Sequence, residues 1–263
     1  DGNCAADNVV IKFNQPIETF NQDTDTWIWG GQDNTSWTTG TNWYKWDGSK
    51  WAVQSSSTPD ANSKVHILSN ATAGICVSGS NTGVVTAGMS SLDVGNGASL
   101  DLGSDDINIT GDIVNNGTII AGTGTVNLVG TEAQAISGSS LATTDFNWLN
   151  INNPNHITMD IPITVKSRLI MTAGNIINGS NLLTLGNNDF GALLYTSGII
   201  TGKLRRFFRN AYATYFNPET GNSYQAVTHI FFPVGTPNDL RDVTVRLSSL
   251  PGTGQHLTVS YID

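Results

Sequence analysis

Short pairs of apolar residues, each cut off at once by Gly, Asn or Asp, recur through the middle of this chain. Runs such as SLDVGNG, INITGD and TVNLVG alternate apolar and polar positions, as a β-strand with one buried face does. The steps between the first apolar residues are 8, 7, 6, 6 and 7 positions, at Leu92, Leu100, Ile107, Ile113, Ile119 and Val126. This rhythm is too short for hairpins of ordinary strands, so it disfavours a β-sandwich.

Three such strands with their corners make one coil of about 20 residues, the repeat length of a β-solenoid. Corners rich in Gly and Asn agree with this, because these residues tolerate left-handed backbone. The sequence therefore predicts an all-β fold, a right-handed parallel β-helix. The side chains expected inside it are Leu92, Leu100, Leu102, Ile107, Ile109, Ile119, Val126 and Leu128.

The two flanks depart from this rhythm. Residues 1–60 are expected to form an N-terminal strand and a Trp-rich cap, residues 61–205 the parallel β-helix, and residues 206–263 a C-terminal β region. An open solenoid exposes strand edges and an apolar cross-section at both ends, so each end needs a cover.

The charge and hydropathy of the chain argue against nucleic acid as a partner and against a membrane span. The net charge is −9, with 12 Lys and Arg against 21 Asp and Glu, which argues against nucleic acid. No apolar run reaches the roughly 18 residues needed to span a bilayer. The first residues, DGNCAADN, do not resemble a signal peptide, so we expect a mature, processed, soluble product without a membrane span.

Six of the seven tryptophans precede residue 52, and the stretch NWYKWDGSKW holds four large aromatic side chains. They are the candidate glycan-binding residues Trp43, Tyr44, Trp46 and Trp51. Clustered aromatic residues are more often core than ligand site, so the favoured interpretation is a plug that closes the first coil.

Cys4 and Cys76 are an even pair, which is consistent with one disulfide bridge or with two unrelated buried thiols. They and the scattered His66, His156, His229 and His256 show no metal-ligand spacing. We expect no metal and no cofactor; a structural Ca²⁺ is not indicated.

Catalysis on a parallel β-helix requires carboxylates that converge on one face. The coil acids are sparse: Asp93, Asp101, Asp105, Asp106, Asp112, Glu132, Asp145 and Asp160. The chain is therefore not expected to be an enzyme.

The stretch GKLRRFFRN gathers Lys203, Arg205, Arg206 and Arg209 beside two Phe residues. It could grip an acidic surface or polysaccharide. The favoured interpretation is a junction between the last coil and the C-terminal strands, with its charges solvated or paired to Asp239 and Asp242.

Several segments resemble, in their order, the repeat-rich secreted β-helical surface proteins of Bacteroidetes-type bacteria. The resemblance covers residues 26–246 and is carried by TWIWGGQDNTSWTTGTNWYKWDGSKWAV, TPDANSKVHI, ITGDIVNNGTIIAGTGTVNLVGTEAQAISGSS, FNWLNINN, LIMTAGNII, IITGKLRR and FFPVGT. It implies an extracellular β-helical module, tethered or assembled at the cell surface, and it implies no catalytic residues.

The termini suggest how such modules join. NVVIKFNQPI (residues 8–17) alternates, with Val9, Ile11 and Phe13 on one face, and LTVSYID ends on strand-like residues. A spare strand and an open sheet edge allow strand addition between subunits. The expected function is a secreted structural or adhesive cell-surface protein, the subunit of a homopolymeric filament or a partner of other surface proteins. The alternative is a glycan-binding module or a polysaccharide-active enzyme.

Overall fold

The computed structural model describes residues 23–30, 37, 39–68, 88–104, 106–208, 213–217, 222–226, 229–246 and 252–261. These residues contain no α-helix and two short 3-10 helices, Gly40–Asn42 and Phe190–Ala192. The strands are β1 (Thr26–Trp29), β2 (Trp43–Trp46), β3 (Trp51–Val53), β4 (Lys64–Ile67), β5 (Gly88–Met89), β6 (Ser91–Val94), β7 (Ser99–Asp101), β8 (Ile107–Ile109), β9 (Ile113–Asn115), β10 (Thr118–Ile120), β11 (Thr125–Leu128), β12 (Gln134–Gly138), β13 (Thr143–Asn152), β14 (Ile157–Met159), β15 (Ile163–Ala173), β16 (Ile176–Ile177), β17 (Leu182–Leu185), β18 (Leu193–Tyr195), β19 (Lys203–Phe207), β20 (Ala213–Asn217), β21 (Asn222–Ala226), β22 (His229–Phe232), β23 (Gly235–Thr236), β24 (Asp239–Leu240), β25 (Val243–Arg246) and β26 (His256–Val259).

The central strands stack in parallel on three faces. The first face holds β1, β4, β6, β9, β12, β14 and β16; the second holds β7, β10, β13, β15, β17 and β19; the third holds β5, β8, β11, β13, β15 and β18. Strands β13 and β15 are 10 and 11 residues long, so each runs across two faces. The chain makes about 6 turns, which confirms the predicted parallel β-helix.

The coil length agrees with the predicted repeat. On the third face Ile109 pairs with Leu128, Leu128 with Ile151, and Ile151 with Met171. These partners are separated by 19, 23 and 20 positions. Like residues therefore stack on like residues, and aliphatic columns fill the interior.

Seven of the eight side chains predicted to point inward are buried; Ile107, the first residue of β8, is only half-buried and packs against the edge of the core. Burying one Leu or Ile side chain stabilises the fold by about 1.5–3 kcal/mol. The columns are therefore the main source of stability along the solenoid.

Buried asparagines satisfy backbone groups at the corners. Asn115 is fully buried, and its Nδ2 donates to the carbonyl of Thr143 and to Oγ1 of Thr144, both at 2.9 Å. Its Oδ1 accepts from the amide of Gly117 at 3.0 Å. A bent corner leaves backbone groups without ladder partners, and Asn supplies both a donor and an acceptor there.

Antiparallel strands continue the stack at both ends. At the N-terminal end, β1 pairs with β4 in parallel and with β2 in antiparallel orientation, and β2 pairs with β3, so an aromatic meander extends the first face. At the C-terminal end, β26 pairs antiparallel with β19. The short pairs β20–β21, β22–β25 and β23–β24 complete the C-terminal β region.

Candidate functional site

The Trp cluster of the N-terminal meander lies mostly in the core. Trp27, Trp29 and Trp43 are 3%, 1% and 0% exposed. The ring of Trp43 lies 4.9 Å from that of Trp29 and 4.5 Å from that of Trp37, edge to face, and its Nε1 donates to the carbonyl of Trp37 at 2.8 Å. Edge-to-face pairs add to the stabilisation by burial. These rings fill the end of the solenoid.

The four candidate glycan-binding residues divide between two faces of the meander. Side chains alternate along a strand, so Tyr44 and Trp46 lie on the face opposite Trp43. Trp51 pairs with Trp46, and their half-buried rings meet edge to face at 5.4 Å. Burial raises the pKa of the half-buried Tyr44. The fully buried Trp43 has no exposed ring to offer, so a platform here would consist of Tyr44, Trp46 and Trp51.

Two other predicted sites lie outside the described residues. They are the candidate disulfide, Cys4 and Cys76, and the candidate assembly strand, Val9, Ile11 and Phe13. Both stay predictions.

Five of the described coil carboxylates have local partners. Asp101, Asp106 and Asp112 accept hydrogen bonds from the amides of Gly103, Thr125 and Ala135 at 2.7–2.9 Å. Asp93 lies 3.3 Å from His66, and Asp145 lies 3.0 Å from Lys166. In the described parts of the chain, no three His, Cys, Asp or Glu side chains gather as the ligands of a metal ion would. The acids that the structure describes act mainly at corners and in surface pairs.

The basic stretch lies, as expected, where the last parallel strand meets the C-terminal strands. Lys203 is exposed, whereas Leu204 and Phe208 are buried. The prediction that the charges are solvated or paired to Asp239 and Asp242 is wrong for Arg206, which is 6% exposed and forms no ion pair with a described carboxylate. Asp239 pairs instead with Arg241.

Strand register explains the burial of Arg206. It pairs with Leu185 of β17, and Leu185 pairs in turn with Val165 of β15. Residues that share a register position share a face, so the guanidinium enters an apolar column. The signal was present in the sequence, because Arg206 lies two positions after the inward Leu204.

A small cleft opens beside this arginine. Its volume is about 100 Å³, and it is lined by Asn188, Asp189, Leu193, Arg206, Phe207, Ile230 and Phe231. Nη1 of Arg206 donates to the carbonyl of Phe231 at 2.6 Å, and the guanidinium carbon lies 6.0 Å from the centre of the Phe232 ring. Burial lowers the pKa of Arg206 from its ordinary value to about 10, so the group stays charged at neutral pH.

Comparisons of the chain with protein-family models, curated proteins and solved structures give no match. Within the described ranges, no helix has the length and apolar character needed to cross a membrane. The fold and the two ends of the solenoid are therefore the basis for assigning a function.

Proposed function

We propose that this chain is the structural subunit of an extracellular, cell-surface assembly, and that subunits join end to end by β-strand addition. The proposed role is scaffolding or adhesion, without catalysis. The ordered resemblance of residues 26–246 to secreted β-helical surface proteins supports the location.

The observation that carries the proposal is the strand order at the two ends. The first face terminates in β3, and the sheet that contains the second and third faces terminates in β26. No described strand pairs with the outer edge of either one. Unpaired strand edges are templates for pairing with another chain.

Side chains at the C-terminal edge suit such pairing. Leu257 and Val259 are half-buried and pack against the core, whereas His256 and Thr258 are exposed. This alternation can set the register of an added strand. Residues 8–17, NVVIKFNQPI, have the matching alternation and are the proposed donor.

Low charge also favours close contact between subunits. Only 13% of the residues are charged, so neighbouring subunits repel one another little. A head-to-tail contact that does not close a ring extends into a filament. The proposed partner is therefore a second copy of the same chain.

Sedimentation velocity over a wide range of protein concentration tests the proposal. The full chain should form species that grow with concentration, whereas deletion of residues 1–17 should leave a folded monomer. Thr258→Lys, on the exposed edge, should also weaken association, because edge lysines block strand pairing.

Thr164→Lys is the matched control, since Thr164 lies within the same sheet and is paired on both sides by β13 and β17. It should associate like the native chain. A full chain that stays monomeric at all concentrations, or a Thr258→Lys variant that assembles normally, contradicts the proposal.

A further inference from the structure

Arg206 is a charged residue at a position where the fold calls for an apolar one. Its neighbours in the same column are Leu185 and Val165, which are 0% exposed. A buried charge without an ionic partner costs stability, and buried charges in proteins are usually paired. This arrangement is expected where the partner is a ligand.

The Arg206 guanidinium has N–H donors left over for a ligand. It has five N–H donors in a planar fork, and one of them, on Nη1, donates to the carbonyl of Phe231. Nε is buried and has no hydrogen-bond partner among the residues that the structure describes. No described carboxylate lies within ion-pair distance of it. A planar fork with free donors matches a carboxylate, which can accept two parallel hydrogen bonds.

The walls of the cleft differ from its base. Phe207 and Phe231 are half-buried, and Leu193 and Ile230 are buried, so four apolar side chains contribute to the sides. Asn188 and Asp189 are exposed and lie at the rim. The volume of about 100 Å³ admits one small group, because cavities that enclose whole drug-sized ligands measure roughly 300–1,000 Å³. The rest of a ligand would rest on the rim.

We propose that the Arg206 cleft binds the carboxylate of an acidic sugar, a uronic acid residue whose ring rests on the aromatic wall. The carboxylate reaches the guanidinium, the C–H face of the sugar ring packs on Phe207 and Phe231, and the hydroxyls meet Asn188 at the rim.

Asn188 favours a sugar over a bare anion. Its exposed side-chain amide can donate hydrogen bonds to hydroxyl groups and accept hydrogen bonds from them. A uronic acid carries its charge on one carbon and its hydroxyls on others, so it can contact Arg206 and Asn188 together. This inference goes beyond the proposed assembly and does not depend on it, since the cleft lies within one subunit.

Titration of the full chain with sodium glucuronate, followed by NMR or calorimetry, tests the site. Glucuronate should bind saturably with a dissociation constant on the order of 1 mM, as expected for one charged group and one stacked ring. Glucose, which lacks the carboxylate, should not bind. Acetate, which lacks the ring and the hydroxyls, should bind about tenfold or more weakly.

Arg206→Lys keeps the charge but loses the planar fork, so glucuronate binding should fall about tenfold or more. Because Arg206 is buried, Asn188→Ala at the exposed rim is the second variant; it should weaken glucuronate binding and leave the acetate affinity and the circular dichroism spectrum unchanged.

Four results overturn the proposal. They are the absence of saturation by glucuronate up to about 50 mM, equal binding of glucose, acetate binding as tight as that of glucuronate, and unchanged affinity of both Arg206→Lys and Asn188→Ala.

Discussion

Asn153 donates from Nδ2 to Oε1 of Gln134 at 2.9 Å, and both side chains are buried in successive coils. Nε2 of Gln134 donates in turn to the carbonyl of Gly111 at 2.6 Å, one coil earlier. The same Nδ2 of Asn153 reaches the carbonyl of Glu132 at 2.6 Å. A polar chain thus joins three coils at one corner, beside the apolar columns.

Replacing Asn153 by Ala should lower the free energy of unfolding by about 1–3 kcal/mol, because the backbone carbonyl of Glu132 and the side-chain oxygen Oε1 of Gln134 each lose a hydrogen bond. Chemical denaturation measures the loss. Asn152→Ala, at the exposed neighbouring position, is the control and should change stability by less than about 0.5 kcal/mol. Equal effects of the two substitutions would show that the buried chain contributes nothing specific.

Gly198 should not tolerate a side chain. Its φ is 100°, a conformation strained for L residues, and an added Cβ would meet the carbonyl oxygen of Gly174, stacked one coil earlier. Gly198→Ala should lower the free energy of unfolding by about 2 kcal/mol or more. Gly186→Ala is the control, since its Cβ would approach no atom closer than 3.6 Å. A Gly198→Ala variant as stable as the control would refute the stacked-corner geometry.

In the N-terminal aromatic meander, the stability lost on replacing a Trp by Ala should depend on how deeply its ring is buried. Trp43→Ala removes a fully buried ring and should cost about 3–5 kcal/mol. Trp46→Ala removes a half-buried ring from the opposite face and should cost less than half of that. Urea unfolding of both variants measures the difference. If Trp46→Ala costs as much as Trp43→Ala, then both faces of the meander are core.

Arg206→Met should stabilise the chain at neutral pH. Lowering the pKa of Arg206 from its ordinary value to about 10 corresponds to a cost of roughly 3 kcal/mol for keeping the charge buried. Loss of the hydrogen bond to Phe231 offsets about 1–2 kcal/mol of this. The free energy of unfolding of the variant should thus be higher by about 1–2 kcal/mol, and the variant should not bind a ligand that requires the guanidinium.

The gain should depend on pH in one direction. Because the folded-state pKa of about 10 lies below the unfolded value, native Arg206 carries its full cost below pH 10, and the cost shrinks as the pH rises above about 10 towards the unfolded pKa. The stability difference between Arg206→Met and the native chain should therefore be smaller at pH 10.5 than at pH 8. A variant that is less stable at pH 8 would show instead that the guanidinium stabilises the fold.

The coils could be predicted from the sequence because their signal is local and repeated. Leu100 and Ile119 each lie in a strand bounded by turn residues, and they pair because the coil length stays at about 20 residues. The strands at the two ends of the solenoid do not repeat in this way, so their sequence pattern is a weaker guide to which side chains are buried. Trp43 and Trp46 are the same residue type in the same strand. Only their positions in that strand determine that the first is buried in the core and the second is half-exposed.

Arg206 shows a second limit of prediction. Its charge predicted a solvated side chain, whereas its position two residues after the inward Leu204 predicted an inward one. In the structure the side chain points inward. Register in a stacked sheet is set by many backbone hydrogen bonds together, so one unfavourable side chain does not shift it. The local penalty remains, and it marks the residue as a candidate for binding.

Electron microscopy of the native protein tests end-to-end assembly most directly. The first face and the meander strands β2 and β3 together form a sheet of nine strands, which at a spacing of about 4.8 Å spans ~40 Å, so the filaments should be one solenoid wide with an axial repeat of at least this length. Removing residues 1–17 should abolish the filaments and leave single particles. Isolated particles from the full chain at every concentration, or solenoids packed side by side, would contradict assembly by strand addition.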